Sequence, residues 1–128
     1  MKKLISVLAL TLSMSAMAVE VKTSITCQQE DGDQWIETGI VSGRTNTALL
    51  VEHDADLGAR LGKLVATETV YQKVQGNKTV IFNAQGTYSL TIYKRGSMLL
   101  GDLVILGRKA IVQKGMYCYP NSSISFRK

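Results

Sequence analysis

The most concentrated group of titratable side chains surrounds the single histidine of the chain, in the run Glu52-His53-Asp54-Ala55-Asp56. Side chains of an extended segment alternate between its two faces, so residues 52, 54 and 56 would share one face. Carboxylates placed beside an imidazole can transfer protons or bind a metal ion. Glu52, His53, Asp54 and Asp56 are therefore weak candidates for a metal site.

The residues around this run do not complete a known kind of active site. Zinc sites use several His or Cys ligands, and calcium loops place oxygen ligands at set spacings around a turn glycine. A serine nucleophile would need His53 as its base, and the chain has no Gly-x-Ser-x-Gly elbow. We interpret the run as a polar turn, and we expect no enzyme activity, no metal and no cofactor.

Two cysteines, Cys27 and Cys118, lie near the two ends of the chain that would remain after export. An even number of cysteines in an oxidising compartment predicts a disulfide. In the chain-entropy model, closing so long a loop would stabilise the fold by roughly 4 to 5 kcal/mol. Two free thiols, or pairing with another chain, are the alternatives.

The N-terminus predicts export. Lys2 and Lys3 precede an apolar run, and Ala16 and Ala18 stand where a signal peptidase requires small side chains. The apolar run is shorter than the roughly 20 residues that a membrane-spanning helix needs. We therefore expect residues 1–18 to be a cleaved signal peptide, residues 19–128 to form a single β domain, and the protein to be periplasmic or secreted.

Charge is distributed unevenly along the chain. From residue 19 to Glu68 there are four basic and nine acidic residues, and beyond Glu68 there are nine basic residues and one acid, Asp102. Such asymmetry can create a basic surface that faces an anionic partner, although ordinary solvent-facing positions are the alternative. The partner would be an envelope protein or an anionic polymer; we expect no nucleic acid and no transmembrane segment in the mature chain. The candidate basic face consists of Lys94, Arg95, Arg108 and Lys109.

The elements that must position these residues are strands. Short segments rich in Val, Ile, Thr, Tyr and Leu alternate with glycine-containing turns, which predicts an all-β fold. The short connections favour an antiparallel meander of about eight strands. We expect a small barrel of lipocalin-like size, with a β-sandwich as the alternative. Residues 54–69 are ambiguous, and we expect a helical turn followed by a strand from about Leu64.

A few residues resemble the inhibitory loop of small bacterial periplasmic lysozyme inhibitors, which contain a Ser-Gly-x-x-Ala-Arg-Tyr type of sequence. Gly58-Ala59-Arg60 matches three letters, Leu61 replaces the aromatic residue, and Ser42-Gly43-Arg44 is a second fragment. The resemblance implies an enzyme-inhibitor-like domain of the periplasm. Our leading hypothesis is an exported, non-enzymatic binding protein of the bacterial envelope, and a small barrel that carries an apolar ligand is a further alternative.

Overall fold

The computed structural model of the protein describes residues 18–29, 34–54, 62–107 and 110–127. These residues form eight strands joined in sequence order. The strands are β1 (Ala18–Gln28), β2 (Gln34–Val41), β3 (Asn46–Asp54), β4 (Gly62–Gln75), β5 (Lys78–Asn83), β6 (Tyr88–Arg95), β7 (Met98–Ile105) and β8 (Ile111–Arg127).

The strands form one antiparallel meander that closes into a ring, because β1 pairs with both β2 and β8. The expected all-β class, the meander and the number of strands are confirmed, and closure favours the barrel over the sandwich. The strand expected from about Leu64 begins at Gly62. The expected helical turn lies largely in residues 55–61, outside the described part of the chain.

The interior of the ring is filled by large side chains. Tyr88, Leu90, Leu103 and Met116 are among the largest fully buried residues. Tyr88 faces inward, as Leu90 and Ile92 do at a spacing of two along β6, and its phenol oxygen lies 2.6 Å from Thr38 Oγ1. Thr38 donates its own proton to the carbonyl oxygen of Leu49, so the Tyr88 hydroxyl donates to Thr38. Burial raises the pKa of Tyr88 far above its usual value.

A second apolar cluster covers the outer face of β2 and β3. It is formed by Leu49, Val51, Ile124 and Phe126, with partly buried residues of β1, β2 and β4 packed against it. Alternation along β3 therefore sends Leu49 and Val51 outward while Ala48 and Leu50 join the interior cluster. The β2–β3 pair is thus packed on both of its faces. We call this pair, residues 34–54, the double-sided wall.

The ribbon that covers the wall consists of the first part of β1 and the last part of β8. A Cβ atom added at Gly39 would lie 2.9 Å from Thr23 and 3.4 Å from Ile124, so the missing side chain of Gly39 allows the ribbon to approach. The β1–β8 ladder skips one position beside Pro120, where Asn121 adopts a φ of 49°. Beyond this point β8 pairs with β1 and, at Phe126, with β4.

The predicted disulfide is confirmed. Cys27 and Cys118 are directly opposite each other on β1 and β8, with Cα atoms 4.0 Å apart. The bridge lies inside the ring against Gly101, where an added Cβ would come within 2.8 Å of the Cys118 sulfur. A buried disulfide is consistent with an oxidising compartment. The expected signal peptide covers residues 1–18. Of these residues, only Ala18 lies in the described part of the chain.

Candidate functional site

The structure separates the residues of the histidine-containing run. Glu52, His53 and Asp54 continue β3, so the run does not begin a turn at that point, and Asp56 lies outside the described residues. Glu52 is exposed, Asp54 is half-buried, and His53 is buried on the other face of the strand. Among the described residues, no group of three or more His, Cys, Asp or Glu side chains is placed to hold a metal ion.

His53 instead belongs to a buried polar cluster on the double-sided wall. Its Nε2 atom lies 2.8 Å from Glu37 Oε1, and both side chains are about nine-tenths buried. Trp35, the register partner of His53, stacks on the imidazole with ring centroids 4.8 Å apart and an interplanar angle of 5°. Trp35 therefore packs against His53 within the wall.

The cluster contains parts of an acid–base pair, since a carboxylate holds one nitrogen of an imidazole. The other nitrogen, His53 Nδ1, is buried and has no hydrogen-bond partner within the described residues. A cleft beside Trp35 is lined by Ile36, Glu52 and residues 110–113. General acid–base chemistry requires the imidazole to reach a substrate atom, and the described side chains enclose it.

The structure describes two of the four residues of the candidate basic face, Lys94 and Arg95. Lys94 and Arg95 end β6 and are exposed at the tight turn to β7. Arg108 and Lys109 lie outside the described residues, and their neighbours Gly107 and Ala110 follow the opposite end of β7. Eight strand residues span roughly 25 Å, so one surface joining both pairs would have to extend that far. The contribution of Arg108 and Lys109 stays a prediction.

Two other cations accompany Lys94 and Arg95. A meander places alternate turns at the same end, and the β4–β5 hairpin is beside the β6–β7 hairpin because β5 pairs with β6. Lys73 and Lys78 lie on the β4–β5 hairpin and are exposed. We call the two hairpin tips, residues 71–80 and 93–99, the hairpin end. It contains four basic residues and no acidic residue.

The turns and aromatic side chains position these cations. Both turns have two residues and begin with a glycine at a φ of 65°, Gly76 and Gly96, a conformation that suits tight hairpins. Lys73 Nζ lies 5.7 Å from the centre of the Phe82 ring, and Lys78 Nζ lies 5.8 Å from that of Tyr93. Cation–π contacts of this kind hold an ammonium group against the strand surface.

The β4–β5 tip is exposed on both of its faces. Pairing between β3 and β4 ends at Val70, and every residue from 71 to 78 is exposed. The apolar side chain of Val74 is 70% exposed, the largest value among the exposed large hydrophobic residues described. The hairpin end therefore combines positive charge with exposed apolar groups, and this combination suits a binding surface.

Comparison with known proteins identifies no relative. The chain has no significant match to a family model, to a curated protein or to a solved structure. Among the described residues, no helix is long and apolar enough to cross a membrane.

Proposed function

We propose that the protein is an exported, non-enzymatic binding protein of the bacterial envelope. It engages an anionic partner, a protein or a polymer, through its hairpin end. The observation that carries the proposal is the clustering of Lys73, Lys78, Lys94 and Arg95 on two adjacent hairpin tips without an acidic residue. A surface with one sign of charge attracts oppositely charged partners and accelerates their association.

The periplasmic or extracellular location is part of the same proposal. The N-terminal sequence supports export, and the Cys27–Cys118 bridge fits an oxidising compartment. The filled interior weighs against a carrier of apolar ligands, because Tyr88 and Met116 occupy the space that a ligand would need. The inhibitor-like alternative depends on residues 58–61, which are outside the described part of the chain, and on Ser42-Gly43-Arg44, which is exposed between β2 and β3.

The test is affinity capture from envelope extract at low salt with the oxidised protein. The variant K73Q/K78Q/K94Q/R95Q removes the four charges of the hairpin end. The matched control K22Q/K63Q/K114Q/R127Q removes the same number of charges from exposed positions outside it. Circular dichroism verifies that both variants are folded.

We expect an anionic component that is retained by the wild type and by the control variant and is lost with the hairpin variant. Its retention should weaken steeply as salt is added, since the contact is electrostatic. Equal retention by the two variants would remove the hairpin end from the proposal. Recovery of no anionic component by the wild type would contradict the binding function itself.

A further inference from the structure

An apolar cleft opens beside the β6–β7 tip. The ladder between β7 and β8 ends at Leu100 and Tyr117, and the preceding residues of β7 do not pair with β8. The space between the two strands measures about 520 Å³, a size typical of small-molecule sites. Its lining includes Met98, Leu99, Tyr117, Tyr119, Pro120 and Lys94.

The side chains around the cleft expose much apolar surface. Met98, Tyr117 and Tyr119 are 45%, 50% and 47% exposed. Removing apolar surface from water is favourable by roughly 25 cal/mol for each Å², so an alkyl chain lying against these groups would be stabilised. Leu99, which packs against the interior cluster, and Cys118 also line the cleft.

One cation borders this apolar space. Lys94 is the register partner of Leu99, so its side chain shares the face of the sheet on which Leu99 lies. Lys94 is exposed and makes no ion pair with the described residues. Arg95, the register partner of Met98, adds a second positive charge at the same tip. A ligand with an alkyl chain in the cleft would therefore place its head group beside positive charge.

We propose that this cleft binds an anionic amphiphile, with one alkyl chain against Met98 and Tyr119 and a carboxylate or phosphate head group at Lys94. The inference goes beyond the proposed function, because it adds a small amphiphilic ligand to the protein or polymer that the hairpin end engages. Charge complementarity selects an anionic head group over a cationic one, and the apolar lining selects a chain over a small anion. A free fatty acid and a membrane lipid both present this chemistry.

The methionines provide a direct readout of binding. Met98 borders the cleft, whereas Met116 is fully buried in the interior, and these are the two methionines among the described residues. In the oxidised protein labelled with ¹³C at the methionine methyl groups, dodecanoate is added below its micelle concentration. We expect a saturable shift of the Met98 signal and an unchanged Met116 signal.

Two related compounds separate the contributions of chain and charge. Dodecyltrimethylammonium has the same chain with a positive head group, and butyrate has the negative head group with a short chain. Both should shift the Met98 signal at least roughly tenfold more weakly than dodecanoate. Equal shifts with the cationic compound, or joint movement of Met98 and Met116, would overturn the proposal.

Two pairs of variants locate the site. Lys94→Gln should weaken dodecanoate binding by about fivefold, the effect of losing one exposed ion pair, whereas Lys114→Gln should leave it unchanged. Tyr119→Ser should weaken it by about tenfold, and Tyr71→Ser, at a residue of similar exposure on β4, should not. The Met116 signal verifies that each variant keeps its core. Equal effects within either pair would contradict the assignment.

Vesicles distinguish the two sources of the amphiphile. Co-sedimentation with phosphatidylglycerol vesicles but not with phosphatidylcholine vesicles, together with the dodecanoate shift, would identify membrane lipid as the source. The dodecanoate shift without co-sedimentation would identify a free amphiphile. Absence of the shift would overturn the cleft assignment even if the vesicles sediment the protein. The proposed function would survive that result if charge-dependent capture of an envelope component were still observed.

Discussion

The double-sided wall and the hairpin end are parts of the same meander but use their two faces differently. In the wall, β2 and β3 pack against the interior on one face and against the β1–β8 ribbon on the other. At the hairpin end, residues 71–78 are exposed on both faces. The wall contains the residue types that suggest chemistry, His53, Glu37 and Trp35. The hairpin end contains the cations Lys73, Lys78, Lys94 and Arg95.

This difference shows that residue type alone does not identify the binding surface. His53 Nε2 pairs with Glu37 inside a packed region, so replacing either side chain disturbs buried polar groups. Lysine and arginine are weaker indicators of a functional site than a histidine, but Lys94 and Arg95 are exposed and therefore accessible to a partner. We therefore expect substitutions in the wall to change stability and substitutions at the hairpin end to change binding.

The largest expected effect comes from His53→Ala. The substitution opens a cavity against Trp35 and removes a partner of the buried Glu37, so the free energy of unfolding should fall by about 3 kcal/mol. Urea denaturation followed by the fluorescence of Trp35 measures this change. Lys94→Ala, the control, should change stability by less than about 0.5 kcal/mol. Similar losses for the two variants would remove the distinction between the regions.

A smaller loss is expected from Gly39→Val, which tests whether the outer face of the wall is covered. The new side chain would meet Thr23, Thr26 and Ile124, and overpacking of this kind costs about 2 kcal/mol. Thr91→Val, on the outer face of β6, should be nearly neutral. A tolerated valine at Gly39 would show that the ribbon does not press against β2 in solution.

Tyr88 predicts a specific dependence on alkaline pH. In the unfolded chain its phenol loses its proton near the ordinary value of 10, whereas the buried phenol keeps it. Above pH 10 the unfolded state therefore binds fewer protons, and stability should fall by about 1.4 kcal/mol per pH unit more in the wild type than in Tyr88→Phe. Chemical denaturation of both proteins from pH 8 to 11.5 measures the difference. Parallel curves would show that the phenol is not protected.

The smallest change in stability is expected for K73Q/K78Q/K94Q/R95Q. The four side chains are exposed, and the cation–π contacts of Lys73 and Lys78 are each worth about 0.5 to 1 kcal/mol in such settings. Relief of repulsion between like charges offsets part of that loss, so the free energy of unfolding should fall by less than about 1 kcal/mol in urea denaturation. A large loss of stability would mean that these four side chains contribute to the packing of the fold, as those of the wall do.

The strands could be predicted from the sequence because alternation and turn residues act locally. Tyr88, Leu90 and Ile92 lie inward as their period of two requires, and the glycines at 76 and 96 mark the hairpins. The disulfide followed from the number of cysteines and the expected compartment. The ribbon was missed, although Val19 and Val21 alternate on β1 as Ile124 and Phe126 do on β8, which is a usable signal.

The side-chain partners depended on register, which the sequence does not supply. His53 meets Glu37 because β2 pairs with β3 in one alignment, and a shift by one residue would place these side chains on opposite faces. The hairpin end, in contrast, could have been predicted once a meander was expected. Alternate turns of a meander share an end, so Lys73 and Lys78 belong with Lys94 and Arg95 rather than with the following turn.

The pairing of β1 with β8 constrains the order in which the chain can fold. Synthesis produces residues 18–28 well before residues 117–127, with which they form their longest ladder. Until β8 has been made, it covers neither the inward side of β1, which includes Cys27, nor the apolar outer face of β3. Contacts between such distant residues slow folding and expose a growing chain to aggregation. The nascent chain therefore needs protection from aggregation until β8 is complete.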